Sequence, residues 1–144
     1  MKALVQTASN TLVYRDEPDP APLPGEAIIR VEAVGICGSD MHAIHGHDAR
    51  RPVPIILGHE AAGRVLTGRL AGSRVAVNPL VVPADCPFAR EGRPQLSPRR
   101  EILSMPPRPG AFAELVRAPE ENLVAIPEDM PAAKAALAEP IAVA

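Results

Sequence analysis

Eighteen prolines are spread through the 144 residues of the chain. Proline lacks a backbone N–H and fixes φ, so it interrupts helices and the central strands of sheets. Long helices are therefore not expected. The chain has only one Tyr and two Phe, so its core must be built from Val, Ile, Leu and Ala. The sequence predicts an irregular, β-rich domain of short elements.

Short extended stretches, punctuated by glycine and proline, predict about seven strands. They cover residues 2–8, 11–15, 26–36, 61–67, 73–78, 111–117 and 122–126. The first two form a hairpin around the turn pair Ser9-Asn10. Near the end of the chain, Asp129 is predicted to cap an alanine-rich helix from Ala132 to Ala138, whose regularity breaks at Pro140. This pattern predicts a mainly β, compact barrel with short helices and a C-terminal helix.

The charge pattern excludes several classes of partner. A formal net charge of -2 gives no electrostatic reason to expect nucleic acid or an anionic membrane. The basic run from Arg90 to Arg100 is interrupted by acidic residues and lacks aromatic neighbours, so it is interpreted as a solvated loop. No signal peptide or membrane span is visible, and a cytoplasmic location with free thiols at Cys37 and Cys86 is expected.

The residues with the clearest chemistry lie in two short stretches, Gly35–His42 and Leu57–Glu60. The Cys37 thiolate and the His59 imidazole suit a borderline-soft ion such as zinc, and carboxylates are available nearby. Ser39 is predicted to cap a short helix over Met41–His45. The spacing is far from a compact C-x-x-C pattern, so the residues alone also allow a buried free cysteine beside a surface His-Glu pair.

Five segments occur along the chain in the order VGICGSDMH, LGHEAAGRV, GSRVAVNPL, GAFAELV and AEPIAVA. In this order and at these separations they resemble the zinc-dependent medium-chain dehydrogenases, and most closely the polyol and threonine dehydrogenase branches. The resemblance implies a GroES-like barrel. It further implies a catalytic domain over residues 1–128, which includes a degenerate structural-zinc lobe over 79–103, and an inter-domain helix over 129–144.

The resemblance also implies a catalytic zinc. Its ligands would be Cys37, His59 and a carboxylate, for which both Glu60 and Glu139 are candidates. The polyol branch favours Glu60 as the direct ligand, with Glu139 bridging through water. Asp40 would orient the His59 ring.

A proton relay is implied as well, since Ser39 and His42 resemble its hydroxyl and imidazole. His45 and His47 match no functional position and are expected at the solvated surface.

In the family, the lobe usually carries four cysteines around a structural zinc, spaced C-x-x-C-x-x-C-x7-C. The corresponding residues here are Pro83, Cys86, Ala89 and Ser97. One thiolate cannot close a tetrahedral site, so the structural zinc is predicted to be absent. The lobe is expected to be mobile or held by packing around Leu80, Val81, Phe88 and Leu96.

No G-x-G-x-x-G fingerprint for dinucleotides is present, so NAD(P) is expected only if a coenzyme domain is supplied. The predicted function is the catalytic domain of a zinc-dependent NAD(P) alcohol or polyol dehydrogenase, excised or truncated and inactive alone. Its partners would be a small alcohol or polyol and the missing domain, and the exposed inter-domain face would favour self-association. The alternative is a stand-alone GroES-like metal-binding or interaction module without turnover.

Overall fold

A computed structural model describes the whole chain, residues 1–144. It contains ten strands and four short helices, and the longest helix has seven residues. The strands are β1 (Lys2–Ala8), β2 (Thr11–Asp16), β3 (Glu26–Gly35), β4 (Ile55–Ile56), β5 (Glu60–Val65), β6 (Arg74–Val77), β7 (Leu80–Val81), β8 (Glu101–Ile102), β9 (Leu115–Pro119) and β10 (Leu123–Ala125). The helices are α1 (Gly38–Ile44), α2 (Pro87–Arg90), α3 (Ala132–Ala136) and α4 (Ala138–Val143). The mainly β class with short helices is confirmed.

The strands form three antiparallel sheets. Their orders are β2-β1-β4, β10-β6-β5-β3-β9 and β7-β8. The predicted hairpin is confirmed, since β1 pairs with β2 and Asn10 turns the chain with a φ of 57°. Asparagine tolerates this left-handed conformation better than most residues.

The core lies against the five-stranded sheet and consists of aliphatic side chains, as the composition predicts. Ile29, Val75 and Leu103 are at its centre, each no more than 1% exposed. The alternation in β3 is interrupted by a β-bulge between Val31 and Ala33. A bulge shifts the register of the strands beyond it, and as a result Gly35 pairs with Glu60. This pairing positions the residues of the site described below.

The C-terminal region contains two helices instead of the single predicted one. The N-cap residue of α3 is Pro131 and not Asp129, so the predicted cap is wrong. The chain does not leave helical geometry before Pro140, since this residue lies in the first turn of α4. The first helical N–H groups have no partner within a helix, so a proline there sacrifices no hydrogen bond.

Packing of these helices depends on small side chains. Ala135 and Ala136 of α3 are buried against Ala62 of β5, and α3 and α4 both pack on the five-stranded sheet. None of the helices has the length and apolar character needed to cross a membrane.

Candidate metal centre

Two chain segments converge at the end of β3. Cys37 follows this strand and is the N-cap residue of α1. Across the sheet, His59 immediately precedes β5 and Glu60 begins it. Because β3 and β5 pair with Gly35 opposite Glu60, residues that are remote in the sequence meet where β3 ends and β5 begins.

Gly58 makes the turn that precedes His59. Its φ is +91°, a conformation open to glycine but strained for other residues. The ring of Phe112 also covers this glycine, and an added Cβ would lie 2.5 Å from Phe112 Cδ1. The tight turn at Gly58 directs His59 and Glu60 inward, and each of them is only 7% exposed.

Cys37, His59 and Glu60 form a possible ligand set. One ligand atom from each side chain can be chosen so that all three lie within 4.8 Å of one another. His59 and Glu60 are buried, and Cys37 is half-buried. A thiolate, an imidazole and a carboxylate suit zinc, and three protein ligands leave the fourth tetrahedral position open, as in catalytic zinc sites. The donor set therefore fits the metal that the sequence predicts, and its two anionic members would balance the charge of the dication.

Gly35 makes room for this set. A Cβ built on it would lie 2.0 Å from Glu60 Oε2, so any side chain at this position would push the carboxylate away. Sequence reasoning did not single out Gly35 as part of the site. Its glycine identity was visible, but its position opposite Glu60 depends on the strand register.

Asp40 is fully buried and contacts both segments. Its Oδ2 accepts a hydrogen bond of 3.1 Å from the Cys37 amide, and its Oδ1 accepts one of 3.3 Å from the Gly58 amide. Its Oδ1 also lies 3.5 Å from His59 Nδ1. Asp40 is the third residue of α1, and its carboxylate bonds back to the amide of the N-cap residue Cys37. The predicted cap at Ser39 is wrong, because the helix begins at Gly38 and Ser39 lies inside its first turn.

The charges of these residues depend on one another. Burial by itself raises the pKa of Asp40, but the contact with His59 and the two amide hydrogen bonds outweigh it and lower the pKa. Burial by itself lowers the pKa of His59, but Asp40 and then Cys37 raise it to about 9. In the metal-free protein His59 is therefore a cation between acidic neighbours, and a metal ion would take the place of its proton.

Ser104 and Arg51 adjoin the site, although nothing in the sequence signalled them. Ser104 is fully buried and its Oγ lies 3.4 Å from His59 Nδ1. Since Nδ1 faces both Asp40 and Ser104, the other ring nitrogen is left for a metal. Arg51 is 5% exposed and donates a hydrogen bond of 2.6 Å to the carbonyl of Ser39. Both residues come from loops, where no periodicity marks the direction of a side chain.

The two residues predicted for a proton relay lie on α1 beside the ligand set. Ser39 is half-buried and His42 is exposed. Residues three apart on a helix lie on one face, so the hydroxyl is nearer the interior and the imidazole nearer solvent. The Ser39 Oγ accepts a hydrogen bond of 3.4 Å from Arg51 Nη2.

Glu139 lies in α4 and is half-buried. It borders an apolar cavity of about 550 Å³ between α4 and strands β6 and β10. Burial raises the pKa of Glu139, and the charges of His59, Glu60 and Asp40 also affect it. The carboxylate is therefore near the ligand set but is not part of the cluster that Cys37, His59 and Glu60 form.

The lobe over 79–103 has its own small buried centre. Of the four positions that match cysteines in the resemblance, Cys86 and Ser97 come together, with Sγ and Oγ 3.2 Å apart. Both residues are buried, and the contact with Ser97 lowers the pKa of Cys86. The expected packing around Leu96 is wrong, because this side chain is 50% exposed. A hydrogen-bonded pair occupies the centre of the lobe.

Comparison with known proteins agrees with this geometry. Residues 23–128 match the family model of the alcohol dehydrogenase GroES-like domain. The chain is 36% identical to sorbitol dehydrogenase of Bacillus subtilis, over 99% of its own length and 43% of that protein. It is 35% identical to L-threonine 3-dehydrogenase of Xanthomonas oryzae pv. oryzae, over 97% of its own length and 44% of that protein.

Solved structures show the same fold. A crystal structure of a short chain alcohol dehydrogenase from Escherichia coli CFT073, complexed with NADH, superposes with a TM-score of 0.90 at 30% identity. The match covers 99% of the present chain and 43% of that structure. The chain thus spans less than half the length of these relatives.

Proposed function

Because the chain belongs to the alcohol dehydrogenase GroES-like domain family, as its motifs predict, we propose that it is the catalytic domain of a zinc-dependent NAD(P) alcohol or polyol dehydrogenase. Convergence of Cys37, His59 and Glu60 within 4.8 Å is the observation that carries the proposal. These three side chains would hold the zinc. When bound, zinc supplies a Lewis acid that polarises the hydroxyl of the substrate for hydride transfer to the nicotinamide.

The remaining residues would orient the ligands and move a proton. Asp40 and Ser104 would keep the His59 ring in place through Nδ1, since both contact that atom. Ser39, which is half-buried, would take the hydroxyl proton of the substrate while it passes its own proton to His42, and the exposed His42 would release a proton to solvent. Proton transfer over such a pair is general acid–base catalysis.

Glu139 would act beside the ligands rather than as one of them. Burial raises the pKa of this group, which fits a partly desolvated position next to the ligand set. Its carboxylate would accept a hydrogen bond from a water at the metal, which is the bridging role that the resemblance implies. Glu60 is the proposed third ligand.

Turnover would require a coenzyme domain, since the chain has no dinucleotide fingerprint. The test joins the chain in one polypeptide to the part of Bacillus subtilis sorbitol dehydrogenase that the match leaves uncovered. NAD- and NADP-dependent oxidation of small polyols is then measured. We expect turnover that Cys37→Ser abolishes and Cys86→Ser retains, because Cys86 lies in the lobe and not in the ligand set.

A second function, an interaction module without turnover, is favoured by the surface of the C-terminal helices. Leu137, Ile141 and Val143 are 51%, 70% and 77% exposed, and exposed apolar clusters of this kind mark interaction sites. The same surface suits a coenzyme domain. A chimera that contains its zinc but oxidises no polyol with either coenzyme would favour the second function over the first.

A further inference from the structure

Three histidines lie together at the carboxyl end of α1, outside the ligand set of the proposed zinc site. His42, His45 and His47 are all exposed. The ring centres of His42 and His47 are 6.4 Å apart, and those of His45 and His47 are 6.0 Å apart. The proposed function uses only His42 of this group.

The backbone fixes this arrangement. The Gly46 amide donates a hydrogen bond of 2.9 Å to the Ala43 carbonyl, and the His47 amide donates one of 2.8 Å to the His42 carbonyl. With Gly46 at a φ of 80°, these bonds form a Schellman motif, which brings together the side chains that here belong to His42 and His47. In Schellman motifs that pair is frequently hydrophobic.

His45 completes the group from the same helix end. It lies three residues after His42, so the two side chains share a face. Asp48, the acidic residue that directly follows His47 in the sequence, accepts hydrogen bonds of 2.8 Å and 2.9 Å from the Arg50 guanidinium. It therefore does not compete for the imidazoles.

We infer that His42, His45 and His47 form a second metal site, which binds a divalent transition ion such as Zn²⁺ or Co²⁺ through three imidazoles. Two imidazoles on one tetrahedral zinc have ring centres about 5 Å apart, since each metal–nitrogen bond is about 2.0–2.1 Å. The observed separations exceed this by about 1 Å, which rotation of exposed side chains can supply. Imidazole nitrogen suits zinc, cobalt, nickel and copper, but not calcium or magnesium.

Metal binding at the second site would affect the proposed proton relay, and only this effect rests on the proposed function. An ion bound to His42 would withhold that imidazole from the proton relay. Zinc in excess of the first equivalent would then inhibit the enzyme. The existence of the second site does not depend on any relay.

Cobalt titration of the full chain, prepared without a histidine tag, tests the site. Cobalt bound to a thiolate gives a charge-transfer absorption in the near ultraviolet, whereas cobalt bound to imidazoles alone gives only the weaker visible bands. We expect two equivalents to bind, one with the charge-transfer absorption and one without it. The variant His45→Gln/His47→Gln should lose the second equivalent and keep the first.

Two controls separate this site from the first. Cys37→Ser should lose the charge-transfer absorption and still bind cobalt at the histidines, so failure of the first site would not conceal the second. The single variants His45→Gln and His47→Gln should each weaken the binding of the second cobalt equivalent. The free energy of unfolding of the metal-free protein should stay unchanged, because both side chains are exposed. The inference is overturned if the wild-type protein binds only the thiolate-linked equivalent, or if the double variant binds the second equivalent as tightly as the wild type.

Discussion

Replacing Gly35 by alanine tests whether the space beside Glu60 is part of the metal centre. The added Cβ would lie 2.0 Å from Glu60 Oε2 and 3.1 Å from Glu60 Cβ. The φ of Gly35 is not positive, so alanine meets no backbone strain and the clash with the carboxylate dominates. Glu60 must swing away by more than 1 Å to reach an ordinary contact distance of about 3.5 Å.

Two effects of different kinds are expected. Gly35 is itself only half-buried, but overpacking against the buried side chain of Glu60 should cost about 1–3 kcal/mol of the free energy of unfolding. Displacing the carboxylate should also weaken zinc binding by about tenfold to 100-fold, as for changes that disturb the orientation of metal ligands. Urea unfolding of the metal-free protein measures the first effect, and competition with a chromophoric chelator measures the second.

A double-mutant cycle isolates the cause. In a Glu60→Ala background the carboxylate is gone, and only the milder contact with the Cβ of residue 60 remains. Gly35→Ala should then cost little stability and have little further effect on the residual zinc affinity. If Gly35→Ala costs as much in the Glu60→Ala background as in the wild type, the proposed relation between the glycine and the ligand is refuted.

Four further predictions concern the surroundings of the site and the lobe. Asp40→Asn removes the charge beside His59 Nδ1 and should weaken zinc binding by about tenfold to 100-fold, measured by the same competition assay; an unchanged affinity would contradict the orienting role. Because the pKa of His59 is raised to about 9, its interaction with Asp40 should stabilise the metal-free protein fully below about pH 6.5 and fade as the pH rises through 9. For the same reason zinc binding at pH 7 should release at least one proton, which calorimetry in buffers of different ionisation enthalpy detects. Cys86→Ala should cost about 0.5–1.5 kcal/mol of stability by removing the hydrogen bond to the buried Ser97 hydroxyl, which keeps its bond from the Arg99 amide, and should not change the zinc content.

The sequence predicts the elements that local rules determine. Ser9-Asn10 marks the first hairpin, and the boundaries of β1 and β3 agree with the predicted strands to within one residue. The two-residue strands β4, β7 and β8 were not predicted, because each exists only through pairing with a partner elsewhere in the chain. The helix ends were predicted less well, since Cys37 and Pro131, rather than Ser39 and Asp129, are the N-cap residues of α1 and α3.

In the candidate site, too, local patterns predict some residues, whereas others depend on tertiary contacts. Residue types make Cys37 and His59 candidate metal ligands, but their convergence depends on the pairing of β3 with β5, and only the ordered family motifs made it predictable. The part played by Gly35 follows from the bulge and register of β3, which no local pattern reveals. Ser104 comes from a loop and has a φ of 67°, which is uncommon for serine; tertiary contacts alone bring it to His59.

The zinc content of the chain, purified without added metal and dialysed against a weak chelator, tests the central claim most directly. The account predicts one tightly held zinc per wild-type chain and one in Cys86→Ser, because Cys86 belongs to a lobe predicted to hold no metal. Cys37→Ser combined with His45→Gln/His47→Gln, which removes the second site inferred above, is predicted to hold none. Zinc retained in this combined variant, or absent from the wild type even after zinc is supplied, would contradict a metal centre built on Cys37, His59 and Glu60.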